Sequence, residues 1–272
     1  MSPMNNRLLV PRKTPGLLDL VPGAAAAYSL RSLSNSYAGP VVTVRRSSDD
    51  AEENFTAAEV ADGTLAAFCG AGDGFVYRWW DQSGNANHAV AAADTNEPKI
   101  VDSGVVVTDE GKPAIQFDGT DDYLTFSGIT SVHPWTFVEV KKRPTAGTNG
   151  PMVSSSVIPT VYPYWQFTDD IIYASNRAGG YISLGSAGTD QILTFVENPS
   201  ANKADMRVYR NSVILPVSET SGSSTTAAFD QIGRVATATY GNGFYQEIIM
   251  WSALVTSQRE LIEGNIAWGW SV

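Results

Sequence analysis

The chain has 272 residues, 43% hydrophobic and 17% charged, enough to bury a full core in one large domain or two small ones. Lys and Arg number 18 against 28 Asp and Glu, and the net charge of −10 disfavours nucleic-acid binding by the whole surface. The single cysteine, Cys69, excludes an internal disulfide, and no apolar run reaches the ~18 residues of a membrane-spanning helix.

Residues 1–23 are rich in Pro and Gly and lack a sustained period, which predicts an extended arm ahead of a domain over 24–272. Leu8-Leu9-Val10 is too short for a signal peptide, and Pro11, Pro15 and Pro22 interrupt the residues after it, so synthesis in a cytoplasm is expected. Residues 1–46 carry a net +5, which leaves −15 on the rest. A basic leader on an acidic body reads as a docking element, with Arg7, Arg12 and Lys13 for steering and Leu8, Leu9, Leu17 and Leu18 as anchors. Its expected partner is another copy or another protein of the same assembly.

From Ala24 the pattern turns to β. Strands are predicted at 41–44, 75–80, 105–107, 114–117, 135–140, 171–174, 192–196, 206–209, 213–215 and 244–251. Asp109-Glu110-Gly111 and Arg210-Asn211-Ser212 carry hairpin chemistry. Helical signals are confined to a short turn at 64–68 and to the C-terminus. There Ser257-x-x-Glu260 has capping-box form, and Leu261, Ile262 and Ile266 share a face. Many short strands with one terminal helix predict an all-β, two-sheet antiparallel jelly-roll sandwich.

Four stretches carry a resemblance. They are Tyr28–Arg31 with Val44–Asp49, the turn Trp80-Asp-Gln-Ser-Gly-Asn-Ala-Asn-His88, Gly111–Leu124 with its Asp118-Gly-Thr-Asp-Asp122, and the ending Glu247–Trp251 with Leu261–Trp270. Together they resemble the catalytic β-sandwich of family 54 α-L-arabinofuranosidases, the wider concanavalin A-like and laminin-G-like domains, and tailed-phage structural proteins carrying such domains. The arabinofuranosidase resemblance implies an acid/base Asp after an Ile-Gly-Gly stretch and a nucleophilic Glu beyond a Cys-Cys pair in mid-domain. Here the matching stretches read Ile232-Gly233-Arg234-Val235 and Pro151–Ser156, without a carboxylate in either, and Asp169, Asp170 and Asp230 are the nearby substitutes. The expectation drawn from these departures is a non-catalytic virion structural protein on a phage head or tail, with no catalytic residue. The alternatives are a free carbohydrate-binding module or an arabinofuranosidase-like hydrolase with relocated carboxylates.

Tyr162, Tyr164 and Trp165 offer aromatic faces for a glycan or a protein contact, and Asn87 and His88 offer polar ones. Asp118, Asp121 and Asp122 could hold a calcium ion through hard oxygen ligands, though a solvated turn is the plainer account; no other cofactor is expected. Arg45, Arg46 and Asp49 read as a strand-pinning ion pair. With only His88 and His133, zinc spacing is absent.

Overall fold

The computed structural model describes residues 14–131, 134–142, 153–156, 163–166, 171–174, 182–183, 191–200, 205–216, 227–235 and 239–270. The β-branched and aromatic runs form antiparallel strands, and the chain is a β-sandwich with a short C-terminal helix, as expected. Its spine is the last strand, Asn242–Trp251. That strand pairs with Trp135–Lys142 on one side, and with Ala26–Ser29 and Ile115–Asp118 on the other. Trp135–Lys142 pairs in turn with Gln191–Asn198. At the other end of the same network, Ala227–Ile232 lies between Val153–Ser154 and Leu124–Ser131.

Side chains alternate between two buried environments. Phe137 and Phe229 stack with ring centroids 5.9 Å apart, and Trp135 meets Phe229 edge-on. Phe117 meets Tyr245 edge-on as well. Glu139, two residues along from Phe137, is fully buried, accepts the Tyr245 hydroxyl (3.0 Å) and pairs with Lys141 (2.9 Å).

Four helices flank the sheets among the described residues: α1 (Leu17–Leu20), α2 (Ala57–Ala61), α3 (Thr64–Cys69) and α4 (Arg259–Trp270). Ile262, Ile266 and Trp270 of α4 are buried, whereas Leu261, expected on the same face, is 46% exposed. Nor does the expected capping box form. The chain enters α4 through a 3₁₀ turn at Thr256–Gln258, and Ser257 Oγ meets Gln258 Oε1 at 2.9 Å instead of serving the helix.

The segment expected to be an arm is tied down from residue 14 onward. Leu17 is fully buried, Leu18 packs against the core, and Leu18 N donates to Leu33 O (2.8 Å). The Asp19 carboxylate accepts from Gly16 N, Ser34 Oγ and Asn35 N. Only glycine fits at position 16, because a Cβ there would lie 2.3 Å from Leu33 O. Leu17 and Leu18 therefore belong to the body: an apolar pair beside a glycine found a place in the core, which the Pro-rich composition concealed. Arg7, Leu8, Leu9, Arg12 and Lys13 lie outside the described residues.

Candidate functional site

Gly233 organises one end of the sandwich. Ile232 is in register with Leu124 on one side and Val153 on the other. The next residue has φ +91°, and a Cβ there would stand 2.4 Å from the Phe117 ring and 2.9 Å from Asp122 O. Glycine alone lets the chain pass this close under the 118–123 turn. Arg234 follows and lays its guanidinium over Tyr123, 3.5 Å from the ring centroid, while its Nε donates to Gln231 Oε1 (2.7 Å). Ser154 Oγ donates to Arg234 O. Arg234–Val235 pairs with Thr239–Tyr240, which brings the Tyr240 ring within 6.3 Å of Tyr123. The cation found where the resemblance implies an acid is thus an aromatic clamp on the turn.

A carboxylate stands nearby all the same. Asp230, half-buried three residues before Gly233, accepts from Ser156 N (2.6 Å) and Ser156 Oγ (2.5 Å). The two stretches that lack the implied carboxylates, 151–156 and 232–235, are therefore neighbours, and Asp230 is held at their junction. Asp169 and Asp170, the other substitutes, lie outside the described residues.

Three more carboxyl groups sit in the adjoining turn. One oxygen from each of Asp118, Asp121 and Asp122 falls within 4.8 Å of the others. Asp118 Oδ1 accepts from Thr120 N (2.7 Å), and Asp122 Oδ2 accepts from Asp118 N (2.8 Å). Burial pushes the Asp122 carboxyl up to about 7, and the charges of Asp118 and Asp121 act in the same direction. The oxygen donors suit a hard cation, but binding one would require Asp122 to give up a proton that its site retains near neutrality.

The remaining sequence candidates serve the scaffold. Asn87 donates its side-chain amide to Ala25 O (2.9 Å) and its backbone N–H to Asp81 Oδ2 (3.0 Å). His88 accepts the Asp81 N–H at Nδ1 (3.2 Å) beside the Trp80 ring, and burial lowers its pKa. Both residues are half-buried. Tyr164 and Trp165 lie on the strand Pro163–Gln166, and Tyr162 lies outside the described residues. Arg46 grips Asp49 with two bonds (2.7 and 2.8 Å) and holds that carboxyl down at about 2, a strand-end clasp as expected. Glu97 and Glu139 are among the buried carboxyls that the sequence did not mark as sites. Glu97, pushed up to about 7 by burial, bonds Arg45 (2.8 Å). Glu139 is pushed up by burial against the pull of Lys141. Glu97 closes the polar turn Asp94–Asn96, and Glu139 sits in an apolar strand, closed off inside the sandwich.

A family model described as "Alpha-L-arabinofuranosidase B, catalytic" matches residues 19–128. A search of curated protein sequences finds no match. Among solved structures, an arabinofuranosidase complexed with arabinofuranosyl-α-1,2-xylobiose aligns with a TM-score of 0.61. A GH54 α-L-arabinofuranosidase soaked with a cyclic sulfate inhibitor aligns with 0.64, and a variant GH54 enzyme soaked with 4-nitrophenyl α-L-arabinofuranoside with 0.61. Each is 15% identical, the match covering 89% of this chain and 62% of the other. The chain thus spans about three fifths of the length of these structures. The arabinofuranosidase resemblance is borne out at the level of family model and fold. The expectation of a non-catalytic virion protein is overturned, since the matches point to a glycoside hydrolase and bring no support for a phage particle. Of the substitutes named from the sequence, Asp230 is the one that strand pairing brings against the 151–156 stretch, through Ser156.

Proposed function

We propose that the chain is a glycoside hydrolase of the α-L-arabinofuranosidase type with relocated carboxylates, acting on α-L-arabinofuranosides. The observation that carries this reading is Asp230 held by Ser156 at the junction of the two stretches where the family resemblance implies catalytic carboxylates. Hydrolysis of a glycosidic bond needs one carboxylate facing the anomeric carbon, or the water that attacks it, and one carboxyl that donates a proton to the leaving oxygen. Asp230, water-facing and anchored by two hydrogen bonds, takes the first role. We assign the second to Asp122, whose backbone oxygen lies against Gly233 and whose carboxyl burial keeps protonated to about pH 7. Asp230 attacks the anomeric carbon as Asp122 protonates the departing oxygen, which leaves a glycosyl ester on Asp230; water then attacks the same carbon and gives its proton to the ionised Asp122, freeing the sugar and restoring both carboxyl groups. Tyr240 gives the sugar a flat face, and the Arg234 guanidinium, stacked on Tyr123, lends donors to its hydroxyls.

The test is release of nitrophenol from 4-nitrophenyl α-L-arabinofuranoside. Wild-type chain should turn it over, Asp230→Asn should lose at least ~10³-fold in kcat, and Asp122→Asn should lose ~10²-fold or more. Turnover indistinguishable from background in the wild type, or unchanged in Asp230→Asn, overturns the assignment.

A further inference from the structure

The outer side of α4 is apolar and open. A groove of about 360 Å³ runs along it, lined by Thr14, Leu20, Glu260, Leu261, Gly264 and Trp268. Trp268 is 75% exposed, and a Cβ at Gly264 would meet nothing within 4 Å, so the groove floor is an open slot between two apolar side chains. An indole standing in water is unusual on a body that buries Trp79, Trp135, Trp251 and Trp270.

We infer that the groove is the seat of this chain's own leading segment, with Leu8, Leu9 and Val10 laid across Leu261 and Trp268. Three observations single out this occupant. First, the chain enters the described body at the groove, because Thr14 forms part of its wall. Second, the lengths match. Leu261 and Trp268 are seven residues apart on α4, about 10 Å along a helix axis. Leu8 to Val10 precede Thr14 by four to six residues, a reach of roughly 13–22 Å in extended chain. Third, the charges are complementary. Residues 1–13 hold Arg7, Arg12 and Lys13 with no acidic residue, and Glu260 projects from the groove wall with its side chain 92% exposed. Pro11 favours extended backbone at the point where the chain would lie flat. The segment is thereby a strap in cis, in place of the intermolecular arm that its composition first predicts.

Proximity cross-linking of the full-length chain tests this. Leu261 is partly exposed, so Leu261→Cys leaves the fold intact. It is paired in turn with Leu8→Cys, Leu9→Cys and Val10→Cys, and the products are oxidised and run without reductant. At least one pair should close within a single chain. Closure only between chains, or in none of the three pairs, overturns the proposal. A second readout is alkylation of Leu261→Cys alone. Changing Leu8, Leu9 and Val10 together to Ser should speed it ~10-fold or more, and an unchanged rate overturns the strap.

Discussion

Glu247→Gln should be among the most damaging single changes in this sandwich, although it alters no shape. Glu247 lies on the spine strand with its side chain fully buried, facing α4. Its Oε2 accepts from Ser29 Oγ (2.8 Å), Arg31 Nε (2.7 Å) and Trp270 Nε1 (2.8 Å), and its Oε1 accepts from Arg31 Nη2 (2.9 Å). Four donors converge on an acceptor with no proton to give. An amide has one acceptor oxygen and one donor nitrogen, so either orientation sets an NH₂ group against a donor. One orientation opposes Arg31 Nη2 alone; the other opposes three groups at once. The charge that balances the Arg31 guanidinium is lost as well. Removing one partner of a buried, hydrogen-bonded ion pair costs about 3–5 kcal/mol, which sets the expected loss of unfolding free energy in urea. Arg31→Met strands the carboxylate and should cost a similar amount. The double variant should then lose less than the sum of the two single losses, by roughly 1–3 kcal/mol. A Glu247→Gln protein within ~1 kcal/mol of wild type would refute the reasoning. So would a double variant that is additive to within ~0.5 kcal/mol.

Other outcomes rest on burial and titration. Ile266→Ala, at a fully buried position of α4, should cost about 2–5 kcal/mol in urea unfolding, while Leu261→Ala should fall within ~0.5 kcal/mol of wild type; equal effects would mean the docked face is misassigned. Asp122 has its folded pKa raised to about 7 from an ordinary 3.8, so the folded state holds the extra proton between those values and loses stability as pH rises through them. Asp122→Asn should remove that loss, making its stability relative to wild type more favourable at pH 7.5 than at pH 4, and parallel urea-midpoint profiles would contradict this. Cys69 is buried, and burial pushes its thiol up to about 11, so iodoacetamide should modify it only after denaturation; rapid labelling of the native chain would show that the residue opens.

Strands were the most legible part of the sequence. Ile171–Ala174 and Val213–Leu215 form where the β-branched runs stand, and the Asn211-Ser212 turn adopts the positive φ its residues favour. Helices read less well, for two different reasons. Thr56-x-x-Glu59 is a working capping box, with Thr56 Oγ1 accepting Glu59 N and Glu59 Oε2 accepting Thr56 N, yet the five-residue α2 has no room for a hydrophobic period to announce it. Ser257-x-x-Glu260 has the same letters and makes no box, because the 3₁₀ turn directs Ser257 to its neighbour. The site was half legible. Its motifs located the turn at 118–122 and the strand end at 232–235, but the contact between Asp230 and Ser156 spans 74 residues and depends on strand register, which no local pattern records.

The turn Trp80–His88, the most recognisable stretch of the chain, has a consequence for how kinship in such proteins is read. Asp81 accepts from Ala27 N, Ser83 N and Asn87 N; Gln82 accepts from Leu33 N and donates to Ser29 O and Arg31 O; Asn85 and Asn87 donate to Ala25 O. These partners run from Ala25 to Leu33, along strand Ala26–Ser29 and the residues that follow it. Seven residues of loop thus imitate a neighbouring strand with side chains, and seal an edge that would otherwise recruit foreign backbone. A sequence signature centred on this turn therefore reports a contact of the scaffold and no reaction. The match over 19–128 contains the whole seal, while Ser156, Asp230 and Arg234 lie beyond it. Selection can therefore rewrite the chemistry of the second half while the first half goes on displaying the same badge.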